Sequence, residues 1–273
     1  MRPGYINMLK IDIWYVIPWF RSIIFPSKGF TLGSKIRHIG DTDIDCVRCK
    51  IKSEPFKQLT DEQLHKVDAC RTELSFKQGE LITKQGMPLS HIIFIRTGFA
   101  KIFLENEGDL TILEIARPGT FIGIQALYGE SSFPFSVEAM TDVQVCMKDI
   151  RVFRELVLEN SEFARGIIAL LNTELIQTYG RMFSLTKNQI DGRFAELLFY
   201  LSNVLYKANP FNLSISRKEI ADLVSTSPES ISRLIHEFKD QGLIKSKGHT
   251  IEILDAERLE SMCHSQPRFV YKI

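Results

Sequence analysis

Two sets of residues in this sequence have types and spacings that could do chemistry. Cys46 and Cys49 form a C-x-x-C pair, and thiolates at that spacing can meet one iron–sulfur or zinc centre at little cost in loop entropy. A lone pair of this kind is weak evidence, and reduced, unliganded cysteines are the favoured alternative. The second set is Glu229, Ser230, Ser232, Arg233 and His236, which falls on the opposite side of a helical pattern from Ile231, Leu234, Ile235 and Phe238. One face can be buried while the other enters a DNA major groove, where a guanidinium grips guanine and a carboxylate accepts from the cytosine amino group. A plain helical hairpin would show the same spacing.

The elements that must position the second set lie between Ser216 and Lys245. Ile220, Ala221 and Val224 share one face of a short helix expected over Lys218 to Val224. Ser225, Thr226 and Ser227 then form a turn. Ser227 caps the next helix, Pro228 suits its first position, and Glu229 sets negative charge against the exposed amides there. Leu243 to Leu254 reads as two short strands joined at Lys247, Gly248 and His249, a wing whose tip lysine could touch phosphate.

This segment closely resembles the DNA-binding domain of the CRP/FNR family of bacterial transcription regulators, and the likeness extends over most of residues 56–254. The FNR branch carries E-T/S-x-S-R on its recognition helix, reproduced here by Glu229, Ser230, Ile231, Ser232 and Arg233. The resemblance implies that Glu229, Ser232 and Arg233 read bases in an inverted pair of TTGA-type half-sites, with Ser227, Ser230, Lys218 and Lys247 around them. Pro228 stands where the CRP branch has an additional arginine.

Composition neither adds to this nor contradicts it. The chain of 273 residues is 44% apolar, enough for two domains, and its formal net charge is +1. Within residues 214–250 six Lys or Arg stand against five acids, so DNA binding must depend on where Arg217, Lys218, Arg233, Lys245 and Lys247 sit. Five cysteines, an odd number, suit a reducing cytoplasm better than a secreted disulfide framework. Ile11 to Phe25 is apolar and aromatic, but Asp12, Pro18 and Arg21 interrupt it and it is shorter than the roughly 20 residues a span needs. Neither a signal peptide nor stable membrane insertion is expected. No nucleophile–base pair, phosphate loop or H-E-x-x-H motif points to an enzyme.

In chain order, residues 1–44 form an extension of unknown role; Trp14, Trp19 and Phe20 leave a peripheral membrane or partner contact open beside plain disorder. A helix capped by Thr60, with Gln63 completing a capping box, carries Leu64 and Val67 on one face, and Cys70 is read as core packing beside them. Within a domain of residues 45–150, the stretch from Leu74 to about Ile150 shows short apolar runs (HIIFI, AKIFL, TILEI) broken by glycines about every ten residues, the pattern of an antiparallel sandwich or barrel. The resemblance makes this a jelly-roll-like β-roll of the cyclic-nucleotide-binding type, in an overall α+β fold. Cyclic AMP is not expected. The family's G-E-L run is Gly123, Ile124, Gln125 here, and Phe133 and Pro134 replace its Arg-Ser pair, so a buried phosphate would lack its guanidinium. Gly123, Gln125 and Phe133 mark the candidate effector pocket.

Val137, Ala139, Thr141, Val143, Val145 and Met147 share the core parity of one last strand, which puts Cys146 on its less buried side. By resemblance, Cys46, Cys49 and Cys146 match three of four iron–sulfur ligands. The third N-terminal cysteine is missing near Ser53 and Glu54, where a carboxylate such as that of Glu54 could stand in. Region 151–187 is helical, with a long helix opening at Ser161. Ile168, Leu171, Leu175, Thr178, Met182 and Leu185 make a coiled-coil seam, while Phe163, Ile167, Leu170, Ile176, Tyr179 and Phe183 form a second face expected to lie on the β-roll. Two apolar faces favour a homodimer. A hinge is expected at Lys187 to Asp191 and a helix over Asp191 to Tyr206, inside a winged helix-turn-helix domain of residues 188–262 before a tail of 263–273. The implied protein is a homodimeric regulator binding double-stranded DNA, working with RNA polymerase and controlled by an effector or redox event at the β-roll. The competing reading is a cytoplasmic metal- or small-molecule-binding sensor without direct DNA contact; Arg233→Ala separates the two.

Overall fold

A computed structural model describes residues 45–129 and 131–263. The extension 1–44, with Trp14, Trp19 and Phe20, and the tail beyond Cys263 lie outside the described residues. A tight helical turn at Pro55–Gln58 leads into α1 (Asp61–Ala69), whose capping box forms as expected: Gln63 N donates to Thr60 Oγ1 at 3.2 Å and Thr60 N to Gln63 Oε1 at 3.1 Å. Cys70 is not a core side chain. It caps the C-terminus of α1, half-buried, with its thiol on Val67 O.

Eight strands follow: β1 (Arg71–Phe76), β2 (Leu81–Thr83), β3 (His91–Thr97), β4 (Ala100–Asn106), β5 (Asp109–Ala116), β6 (Phe121–Ile122), β7 (Ser136–Ala139) and β8 (Val143–Asp149). They form two antiparallel four-stranded sheets, ordered β1-β8-β3-β6 and β2-β7-β4-β5. Ile93, Ile95, Val137 and Val145 pack between them. The strand expected to run through residues 137–147 is two strands. Gly98, in the left-handed region at φ 77°, sits so close to the Asp142 carbonyl that no Cβ would fit, and the turn Met140–Asp142 passes the chain from one sheet to the other.

Asp149 caps α2 (Ile150–Glu159), accepting from Arg151 N at 2.8 Å. The long α3 (Ser161–Lys187) is capped one residue earlier than expected: extended Asn160, not Ser161, accepts from Phe163 N at 3.0 Å while its amide donates to Gln58 O. Phe163 and Ile167 are buried on the β-roll, Leu170 of the same face and Leu171 of the expected seam pack half-buried against that core, and there the expected second face ends. Ile176, Tyr179 and Phe183 are instead exposed together with Ile168, Leu175 and Met182, because they turn away from the side of α3 on which Arg181 reaches β5 and Ser184 is buried against Glu196.

Asn188 and Gln189 link α3 to α4 (Ile190–Tyr200), which gives way to a wide π-type turn, Leu201–Leu205, rather than continuing as one helix to Tyr206. Then come β9 (Phe211–Asn212), α5 (Arg217–Val224), α6 (Pro228–Asp240), β10 (Ile244–Lys247), β11 (Thr250–Ile253) and α7 (Ala256–Met262). The wing is the expected hairpin β10–β11 with β9 added on its edge. A second core gathers Phe194, Leu198, Ile231 and Phe238 and also takes in Ile112 and Ile115 of β5. Around it Lys101 on β4 pairs with Glu138 (2.7 Å) and Glu219 (3.1 Å), and Arg181 donates to Ile112 O and Leu223 O. Among the described residues no helix is long and apolar enough to cross a membrane.

Candidate functional site

The helix-turn-helix owes its geometry to caps at both ends of its turn. Ser216 and Glu219 exchange hydrogen bonds as a capping box at the start of α5. The helix stops at Ser225, in the left-handed region at φ 53°, after which Ser227 Oγ accepts from Ser230 N at 3.2 Å to open α6 behind Pro228. Ile231, Leu234, Ile235 and Phe238 are buried; at about 1.5–3 kcal/mol for each large apolar side chain, this face fixes the helix against α4 and α5.

The rotation leaves Glu229, Arg233 and His236 exposed, with Ser230 and Ser232 half-buried beside them. The Glu229 carboxyl is held below its usual range by its own backbone N–H and by the Ser227 hydroxyl. Arg233, its side chain 70% exposed, leans on Glu237 at 3.7 Å, an exposed pair too weak to keep it from a stronger acceptor. Ser232 Oγ donates back to Pro228 O at 3.0 Å. Lys218 at the start of α5 and Lys247 at the wing tip are both exposed. The arrangement presents a guanidinium and a carboxylate on one solvent-facing side of α6, with cations to either side, a set whose chemistry suits base edges and phosphates.

In the β-roll, Gly123 and Phe133 meet but Gln125 does not join them. Phe133 is buried in the core, and a Cβ on Gly123, at φ 92°, would stand 3.2 Å from its ring. Gln125 turns outward and donates to Glu174 of α3 at 3.0 Å.

The cavity of this lobe lies on the other face of sheet β1-β8-β3-β6. Register places Glu73, Cys146, Phe94 and Phe121 side by side across its four strands, with Arg71 and Lys148 one step along. The segment 45–58 folds over them as a roof and leaves a small, partly open cavity, to whose lining it contributes Cys46, Cys49, Ser53 and Phe56. This roof corrects the expectation for Cys146: its side chain does point away from the inter-sheet core, but it is 4% exposed because a remote stretch covers it. The structure thus brings Cys46, Cys49 and Cys146 to one cavity.

Among the described residues they fall short of an iron–sulfur cluster or a structural zinc. Four ligands are needed, and among the described residues no group of three or more His, Cys, Asp or Glu is placed to hold a metal ion. Burial also pushes the Cys46 thiol up to about 12 and raises Cys146, opposing the thiolate form. Glu54 points to solvent and pairs with Lys57.

Sequence reasoning missed Lys148 and Ser53. Lys148 is 4% exposed, with its ammonium 4.4 Å from the Phe56 ring centroid, 4.9 Å from Phe94 and 5.8 Å from Phe121. Burial pulls its pKa down. The signal was present in the strand QVCMKD, where a lysine shares the parity of a cysteine, but without knowledge of the roof it reads as solvated.

Residues 73–160 match the cyclic nucleotide-binding domain family and residues 192–262 the Crp-like helix-turn-helix domain family. The transcriptional activator protein anr of Pseudomonas aeruginosa is 28% identical over 195 residues, which span 70% of this chain and 80% of its own. The anaerobic regulatory protein of Haemophilus influenzae is 26% identical over 239 residues, 85% of this chain and 92% of its own. Among solved structures, FixK2 from Bradyrhizobium japonicum superposes with a TM-score of 0.66 at 23% identity, covering 71% of this chain and 98% of that one, a likeness of fold. The expected α+β architecture of β-roll, long helix and C-terminal helix-turn-helix is the observed one.

Proposed function

This chain belongs to the CRP/FNR family of bacterial transcription regulators, and from that premise we propose that it binds, as a homodimer, inverted repeats of TTGA-type half-sites. The family consists of DNA-binding regulators rather than enzymes. The observation that carries the half-site reading is the outward face of α6: Glu229, Ser232 and Arg233 lie opposite a fully buried apolar face, so the helix has one orientation in which to meet DNA. Lys218 and Lys247 supply phosphate contacts, which set affinity and its salt dependence without reading sequence.

The dimer forms through the exposed stripe of α3, where Ile168, Leu175, Tyr179 and Met182 recur at helical spacing. A signal at the β-roll reaches α6 by way of α3 and β5, both of which touch the DNA-binding domain. A ligand with different affinities for two arrangements of these parts suffices to shift between them. Cyclic AMP is a poor candidate for that ligand, since Phe133 fills the core where a phosphate-binding arginine would be needed. As with the relative named a transcriptional activator, RNA polymerase is the partner that activation would require.

The test is equilibrium binding of the full chain to a TTGA-type palindrome, followed by fluorescence anisotropy. Arg233→Ala is expected to weaken binding by ~1–3 kcal/mol and to relax preference at one base position. A wild-type chain without affinity for any such palindrome would leave the competing reading, a small-molecule sensor that makes no DNA contact.

A further inference from the structure

Among the cations on the cavity wall, Lys148 is the one left over; the carboxylate on that wall, Asp45, accepts from Arg48 N at 2.7 Å. Arg71 is engaged by Asp68 at 3.0 Å and by Glu73, and Arg96 by Glu73 at 2.7 Å. Lys52 donates to Val47 O. Lys148 is as buried as the core around it, yet no carboxylate pairs with it among the described residues; its contacts are the three rings of Phe56, Phe94 and Phe121. Ring faces attract an ammonium but do not neutralise it, and a buried cation without a counter-charge is an unfavourable arrangement that an anion relieves. A second, independent group points the same way. Ser53 Oγ, in the roof of the same cavity, is buried without a hydrogen-bond partner. Beside Asp45, the remaining wall is the sulfur of Cys46, Cys49 and Cys146 and the rings of Phe56, Phe94 and Phe121, whose low polarity strengthens whatever pairing forms inside.

We propose that this cavity binds a small anion, an inorganic oxyanion or a short carboxylate, with Lys148 as its counter-ion and Ser53 as a further donor. The proposal deepens the effector half of the reading above. Phe56 gives the ligand a mechanical outlet: its ring lies between Lys148 and α3, 5.7 Å edge-on from Phe163 and 5.6 Å from Phe153. Pro55 packs so closely on Gly166 of α3 that an added Cβ would sit 3.0 Å from the Pro55 Cα. A ligand that draws the Lys148 ammonium off Phe56 therefore acts on the turn seated against the dimer helix.

The test uses the full chain and reads binding alone, so a failure of operator binding would leave it standing. Acetate, sulfate and phosphate are titrated separately at constant ionic strength, following the thermal midpoint and the rate at which maleimide modifies Cys49. One class is expected to raise the midpoint saturably and to slow Cys49 modification by about tenfold; acetate against sulfate and phosphate distinguishes a carboxylate from an oxyanion. Lys148→Met, which keeps an unbranched apolar stem against the rings, is expected to abolish both effects. Should that variant not fold, Ser53→Ala should weaken the affinity by about tenfold, the loss of one hydrogen bond to a charged group. The proposal is overturned if no anion gives a saturable effect. It is equally overturned if the variants respond like wild type, or if fast alkylation of Cys146 at neutral pH reveals a thiolate already paired with Lys148.

Discussion

Cys46 and Cys146 share a cavity with Cys49 but not its accessibility, being 6% and 4% exposed while Cys49 is half-buried. Thiolate is the reactive form, so maleimide at pH 8 is expected to modify Cys49 first and Cys46 and Cys146 at least an order of magnitude more slowly, as peptide mass mapping would show. Burial raises the Cys46 thiol to about 12, so the folded chain keeps a proton that the unfolded chain gives up near pH 9. Its contribution to stability is whole below that pH and is lost as pH climbs toward 12. These properties could not be read along the sequence, although the alternation that turned Cys146 away from Val145 could. Parity is a local property of a strand, whereas burial here depends on residues 45–58, about ninety positions upstream. The same holds for Lys148.

Among the elements, the recognition helix was the most legible. Its cap, its Pro228 and its apolar spacing lie within thirteen consecutive residues, and nothing distant overrides them. The start of α3 was less so, because Asn160 and Ser161 are both good caps, and Asn160 prevailed through its second bond to Gln58 O. Helix α2 makes a quantitative case. The Arg151 guanidinium and backbone N–H hold the Asp149 carboxyl down at about 2. Asp149→Ala is expected to cost about 0.5–2 kcal/mol in urea unfolding at pH 7. The sign follows from the depressed value: the stabilisation is complete above about pH 4 and disappears as pH falls toward 2, where wild type and variant should converge.

For the whole molecule, the exposed stripe on α3 is the feature a monomer could not keep in water. Leu175, Ile176, Tyr179, Met182 and Phe183 are each about half exposed or more, on the side of α3 that faces away from the contacts of Arg181 and Ser184. Leu175→Glu is expected to give a monomer by analytical ultracentrifugation and to lose operator affinity, since two half-sites would no longer be held together, while the fold stays intact by circular dichroism. The sequence pattern showed two apolar faces on this helix, but how far the β-roll extends along it is a matter of three-dimensional reach.

Ile112 and Ile115 belong to a β-strand of the β-roll lobe, yet they are buried among the side chains of the DNA-binding lobe, and Lys101 stitches the same seam through Glu138 and Glu219. Two lobes that share an interior have no independent melting. Calorimetry of the intact protein is therefore expected to trace a single endotherm, and Lys101→Ala to lower it or split it in two. Heat resistance conferred on either lobe becomes the property of both, so a small molecule lodged in the β-roll should delay hydrogen exchange in the amides of the recognition helix.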